Sequence, residues 1–172
     1  PYWIAYRNPR NTAKKRYMAN VSIAFDILPW LNVSGRAKID NTNSIFTQKL
    51  YASSNTTITE GSTQGHYTEI RNTDEQIYAD VMVNINKTFA DNKFSLVANV
   101  GASVNDTKSK ELSYRGPIRE VGIPNMFTVF DLDKEKSRAQ KYGWQEQTQS
   151  IFASVEMGYK SMLYLTVTGR ND

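Results

Sequence analysis

The sequence predicts an all-β fold of antiparallel up-and-down hairpins, part of a transmembrane β-barrel with long extracellular loops. Three observations carry this: paired segments alternate apolar and polar residues, each pair closes through a very short turn, and two long polar stretches separate the pairs.

The first pair opens at Tyr17 to Ile27, where Ala19, Val21, Ile23, Phe25 and Ile27 are apolar and Asn20, Ser22 and Asp26 are polar. After Leu28-Pro29-Trp30 the period resumes with Leu31, Val33, Gly35, Ala37 and Ile39 against Asn32, Ser34, Arg36, Lys38 and Asp40. Segments joined this closely pair antiparallel. The second pair sets Ile77, Ala79, Val81, Val83 and Ile85 against Asp80, Asn84 and Asn86 and turns through Phe89 to Lys93. It returns with Phe94, Leu96, Ala98, Val100, Ala102 and Val104. The third sets Ile151, Ala153, Val155, Met157 and Tyr159 against Ser150, Ser154 and Glu156, turns at Lys160-Ser161-Met162, and returns through Leu163, Leu165 and Val167.

Tyr17 to Ile27 and Phe94 to Asn105 reach the roughly 9 to 11 residues that a tilted strand needs to cross hydrocarbon. Trp30, Phe89, Phe94, Tyr159 and Tyr164 sit near the turns, where amphipathic rings favour a membrane interface. A soluble sheet over a capped core would use the same residues, so a free-standing β-sandwich that binds carbohydrate or adheres to surfaces stands as the alternative.

At 172 residues and 40% hydrophobic content the chain has material for one ordinary core. No run nears the roughly eighteen apolar residues of a membrane helix, and no signal peptide is visible. A mean hydropathy of −0.55 is compatible with a barrel, in which only alternate strand residues face lipid. The chain starts at Pro1 and stops at Asp172 inside an alternating strand, and single-chain barrels need about eight strands or more. Residues 1–172 are therefore expected to be a partial barrel belonging to something longer.

Without cysteine there is no disulfide or thiolate zinc site. The net charge of +4 is modest, and its one basic run is Arg7 to Arg16, with Arg10, Lys14 and Lys15. That run would suit lipopolysaccharide phosphates or nucleic acid, but a solvated loop base is the plainer expectation, and no nucleic-acid partner is predicted.

The single histidine, His66, lies in the polar stretch Thr63 to Tyr67 and reads as an ordinary loop residue. With no second histidine and no cysteine, no catalytic residues, metal site or cofactor are predicted, and the protein is not expected to be an enzyme. Asp131, Asp133 and Glu135 could offer oxygen ligands to Ca²⁺, yet they lack the glycine turn and spacing of an EF-hand and read as a hydrated acidic loop. The sequons at Asn20, Asn32 and Asn55 reflect an Asn/Ser/Thr-rich composition, which suits the wet interior of a wide barrel. Asn41 to Asp74 and Asp106 to Glu146 are read as the two long loops. Their aromatic residues, including Tyr51, Phe127 and Trp144, could stack on sugar or peptide side chains or pack the loops together.

Taken together, these segments resemble the SusC/RagA-like TonB-dependent transporters of the outer membrane of Bacteroidetes-type bacteria. The matching stretches are Pro1 to Ala5, the hairpin Phe25 to Arg36, Ile123 to Phe127, and Gly158 to Asp172. The last is the most distinctive, with its Gly158-Tyr159-Lys160 turn and a strand ending in Gly169-Arg170-Asn171-Asp172. The resemblance implies the outer membrane of a Gram-negative bacterium and a large barrel with an N-terminal plug. It also implies energy from an inner-membrane TonB complex and a SusD-like surface lipoprotein that captures glycans or peptides. Residues 1–172 would be a middle portion of that barrel, in contact with outer-membrane lipid. No plug or TonB box is visible, so no coupling residue is carried over. Arg36, Lys38, Asp80 and Glu156 would line the lumen or meet the plug; no substrate-binding residue is assigned.

Overall fold

The computed structural model describes Tyr6 and residues 8–172, so the stretch Pro1 to Ala5 and Arg7 of the basic run lie outside the described residues. Six strands form one sheet in chain order: β1 (Arg10–Leu28), β2 (Leu31–Tyr51), β3 (Gly65–Phe89), β4 (Phe94–Pro117), β5 (Arg138–Tyr159) and β6 (Leu163–Asn171). This is the expected antiparallel up-and-down order. The sheet is not closed, and β1 and β6 are its edges. Among the described residues no helix is long and apolar enough to cross a membrane.

All three short turns fall where the alternation breaks. Between β3 and β4, Lys93 N–H donates to Ala90 O at 3.1 Å with Ala90, Asp91 and Asn92 at positive φ. Between β5 and β6, Met162 N–H donates to Tyr159 O at 3.0 Å with Lys160 and Ser161 at positive φ. The two consecutive left-handed residues of the β5–β6 turn are the signature of the type I′ turn, whose twist matches that of paired strands. In β5 and β6 the register sets Val155 against Val167 and Met157 against Leu165, so apolar meets apolar across the pair.

The strands are much longer than their apolar periods, which corrects the expected loops. β2 continues to Tyr51, β3 begins at Gly65, β4 runs on to Pro117 and β5 begins at Arg138, leaving 52–64 and 118–137 as the connections. The basic run from Arg10 is likewise strand, the start of β1, and not a loop base. At 25 residues, β3 has more than twice the roughly 9 to 11 that a crossing strand requires. Its remainder carries polar residues on both faces, so it shows no apolar alternation to read.

The chain divides into two units. One comprises Tyr17–Asp40, Glu75–Thr107 and Gln145–Asp172, the alternating segments, and is called here the wall unit. The other comprises Pro1–Arg16, Asn41–Asp74 and Lys108–Trp144, and is called the loop unit. Leu50, Tyr67, Ile118 and Leu132, four of the buried apolar residues, belong to the loop unit.

Candidate functional site

In the wall unit β5 has its exposure reversed relative to a soluble sheet, and the edge strands β1 and β6 are exposed on both faces. Along β5 the apolar Ile151, Ala153, Val155 and Met157 are exposed, whereas the intervening Phe152, Ser154 and Glu156 are half-buried. Val21, Ile23, Phe25, Val81, Val100, Leu165 and Val167 are exposed too, with Phe25 at 66%. A soluble sheet hides its oily face, because each apolar side chain left in water forgoes roughly 1.5–3 kcal/mol.

The opposite face of the wall is polar and internally bonded. Arg36 Nε reaches Asp80 Oδ2 at 3.0 Å, and the Asp80 side chain is only 2% exposed. Asn32 donates to Asp26 at 2.8 Å and accepts from Asn84 at 3.1 Å, while Gln76 donates to Asn105 at 2.9 Å. Lys38 lies 3.8 Å from Asp40, and Glu156 accepts from Thr166 at 3.2 Å. Thus Arg36, Lys38, Asp80 and Glu156 each have a partner within the wall. Gly101 on β4 gives room to Phe152 of β5, since a Cβ there would come within 2.5 Å of that ring. Near the turns, Lys87 lies 4.7 Å from the Trp30 ring centroid and 5.4 Å from that of Phe89, and Phe94 packs on Tyr159 at 5.0 Å.

In the loop unit the two connections are fastened together. Ser62 Oγ donates to Ile118 O at 2.7 Å, and Asn125 N–H donates to Gln64 O at 3.0 Å. Ala52 N–H donates to Asn125 Oδ1 at 2.7 Å. The Glu120 carboxylate accepts from Thr63 N–H at 2.8 Å and Thr63 Oγ1 at 2.6 Å, and these bonds hold it below the ordinary 4.5. Phe127 meets the ring of Tyr51 edge-on at 5.0 Å, lies 6.3 Å from Tyr67, and has Lys49 Nζ 5.5 Å from its centroid. These loop aromatics therefore pack the loop unit.

A ladder of alternate β3 residues completes the unit. The Tyr67 hydroxyl donates to Glu69 Oε2 at 2.7 Å, and Arg71 Nε donates to Glu69 Oε1 at 2.5 Å. Burial and then the Glu69 carboxylate push the Tyr67 phenol up to about 12. Burial opposes the Glu69 charge, but the hydrogen bonds from Tyr67 and Arg71 together outweigh it and lower that carboxyl. The spacing of Tyr67, Glu69 and Arg71 on one strand face is a period-two signal that could have revealed this ladder.

His66 corrects the expectation of an ordinary loop residue: it lies in β3 with its side chain 7% exposed and Nε2 3.6 Å from Glu60 Oε1. Burial lowers its pKa below 6.5, partly offset by Glu60 and reinforced by Arg115. The acidic run serves its own loop. Asp131 pairs with Arg119 at 3.0 Å, and Asp133 Oδ1 accepts from the N–H groups of Glu135 and Lys136 at 2.9 and 3.2 Å. Among the described residues no three His, Cys, Asp or Glu side chains gather as a metal site.

No protein-family model matches the chain, and no curated protein matches its sequence. Solved structures do match its fold. A structure of the RagAB peptide transporter superimposes with a TM-score of 0.81 at 14% identity, over 98% of this chain and 18% of that one. Structures of the RagAB peptide importer in its closed-closed and open-open states give TM-scores of 0.78 and 0.80 at 15% and 14% identity, each over 99% of this chain and 18% of that one. The chain thus spans under a fifth of the length of the proteins it matches, and the likeness is one of fold.

Proposed function

We propose that residues 1–172 form a stretch of wall and surface loops in a SusC/RagA-type TonB-dependent importer of the outer membrane. The observation that carries this is the outward exposure of large apolar side chains in the wall unit, among them Val21, Ile23, Phe25, Val81, Ile151, Met157, Leu165 and Val167. Lipid is the solvent that favours such a face, with backbone groups satisfied between strands. The bonded polar face then lines an aqueous interior. The RagAB likeness adds support for a peptide importer, with glycan as the other nutrient class for this architecture. The cargo would be captured with a SusD-like surface lipoprotein, and an inner-membrane TonB complex would supply energy. The work is binding and passage, without enzymatic chemistry.

Fractionation of source cells with an antibody to this chain tests the proposal. The expected result is a band several times the 19.6 kDa of this chain, in the outer membrane and released by detergent but not by salt. A soluble band near that mass would overturn it in favour of the carbohydrate-binding module. Deletion of the gene is expected to abolish growth on one oligopeptide or glycan source while sparing growth on its monomers.

A further inference from the structure

The 52–64 connection is a small preformed body. Thr59 Oγ1 donates to Ser62 O at 2.6 Å, Gly61 N–H to Thr56 O at 2.8 Å and Ile58 N–H to Asn55 O at 3.0 Å. A loop bonded within itself moves as a unit. It is held to the rest of the loop unit by the bonds to Ile118, Glu120 and Asn125 described above, by Ser54 Oγ donating to Asn8 Oδ1 at 3.0 Å, and by the approach of Glu60 to His66. Glu60 sits at φ +54°, a conformation that a non-glycine residue keeps only while its surroundings impose it.

We infer that this loop is an acid-released latch, docked while His66 is neutral and freed when His66 takes up a second proton. The docked imidazole is buried, and its Nδ1 meets no protein hydrogen-bond partner. An imidazolium in that place would have an Nδ1–H without a protein acceptor, a costly arrangement for a charged group. Two charged groups act on it. Glu60, on the latch itself, favours the proton but has a side chain 40% exposed, so solvent weakens its field. Arg115, on β4, repels it. Burial outweighs the attraction, and the pKa of docked His66 is lowered.

The sign follows from linkage. The open loop binds a proton at the ordinary imidazole value of 6.5, above the docked value, so docking is at full strength above 6.5 and weakens as pH falls toward the lowered pKa. One proton changes the opening equilibrium by up to roughly tenfold per pH unit in that window. Glu120 keeps its grip on Thr63 there, since its carboxyl lies below 4.5.

Hydrogen exchange followed by mass spectrometry on the full-length protein in detergent, corrected for intrinsic rates, tests the latch. Between pH 6.5 and 5.5 the peptide spanning Thr56 to Gln64 is expected to lose up to roughly tenfold of its protection, while that spanning Ile151 to Tyr159 holds. His66→Phe is expected to abolish the pH response. Glu60→Gln is expected to leave its onset in place and extend the loss to lower pH. Equal protection of the wild-type loop at pH 7.5 and 5.5 would overturn the inference. So would an unaltered pH response in His66→Phe. Neither result depends on what the protein transports.

Discussion

The wall unit and the loop unit are built from the same strands and solve opposite problems. The wall leaves Phe25 and Leu165 more than 60% exposed, whereas the loop unit buries Ile118 to 1% and Leu132 to 6%. In the wall most large apolar residues sit outside, with the small Ala98 buried, and the polar residues bond to one another, which suits an oily solvent. In the loop unit Leu50, Tyr67, Ile118 and Leu132 go inside and polar groups are fastened loop to loop, while Val121 and Phe130 stand out at 90% and 85% exposed. The lesson is that the solvent of each stretch shows in which side chains its fold hides.

Substitutions can break or sharpen the contrast. The largest effect is expected for Ile23→Arg, which puts a cation on the outer face and costs about 2–4 kcal/mol at a bilayer midplane. Unfolding in urea from lipid vesicles would measure it. Phe130→Arg, on a loop side chain already 85% exposed, is expected to stay within about 0.5 kcal/mol. Equal costs for the two would erase the distinction between the units.

Next comes Gly65→Ala in the loop unit. Gly65 sits at φ +115°, and a Cβ there would lie 2.6 Å from Leu50 O. A strained backbone of this kind costs about 1–3 kcal/mol, to be read as lost exchange protection in 52–64. Gly169→Ala in the wall meets nothing within 4 Å and is expected to be far milder. Tyr67→Phe removes a buried donor from the Glu69 carboxylate and should cost about 1.5 kcal/mol in thermal or chemical unfolding.

The smallest effect concerns Glu120. Its carboxyl is lowered by the Thr63 hydrogen bonds, so their stabilisation is present above 4.5 and fades as pH falls through the lower folded value. Exchange at Thr63 and Gln64 below pH 4.5 should rise in the wild type, and Glu120→Gln should flatten that rise.

The fold was legible wherever one face meets a different solvent from the other. Val21, Ile23 and Phe25 announce β1, and Ile151 to Met157 announce β5, because period two is visible only when the two faces differ. Where both faces carry polar residues, as in Asn41 to Gln48 and Thr107 to Ser113, the same strands carry no such mark and read as loops. The loop unit stayed hidden for another reason. Ser62 with Ile118, Thr63 with Glu120 and Ala52 with Asn125 are pairings more than fifty residues apart in the chain. Burial of His66 likewise depends on partners that its neighbours in sequence do not reveal.

The central claim is that the exposed apolar face of the wall meets lipid. This chain contains no cysteine, so single cysteines at successive positions from Phe94 to Asn105 can carry spin labels in the membrane-reconstituted protein. The account predicts that accessibility to dissolved oxygen peaks at Phe94, Val100 and Ala102, the exposed apolar positions of this stretch. Accessibility to a polar nickel complex should peak at Val97, Asn99 and Ser103 on the other face; Gly101 is left out, since a side chain there would meet Phe152. Low oxygen accessibility at the first set, or no period of two in either profile, would contradict it.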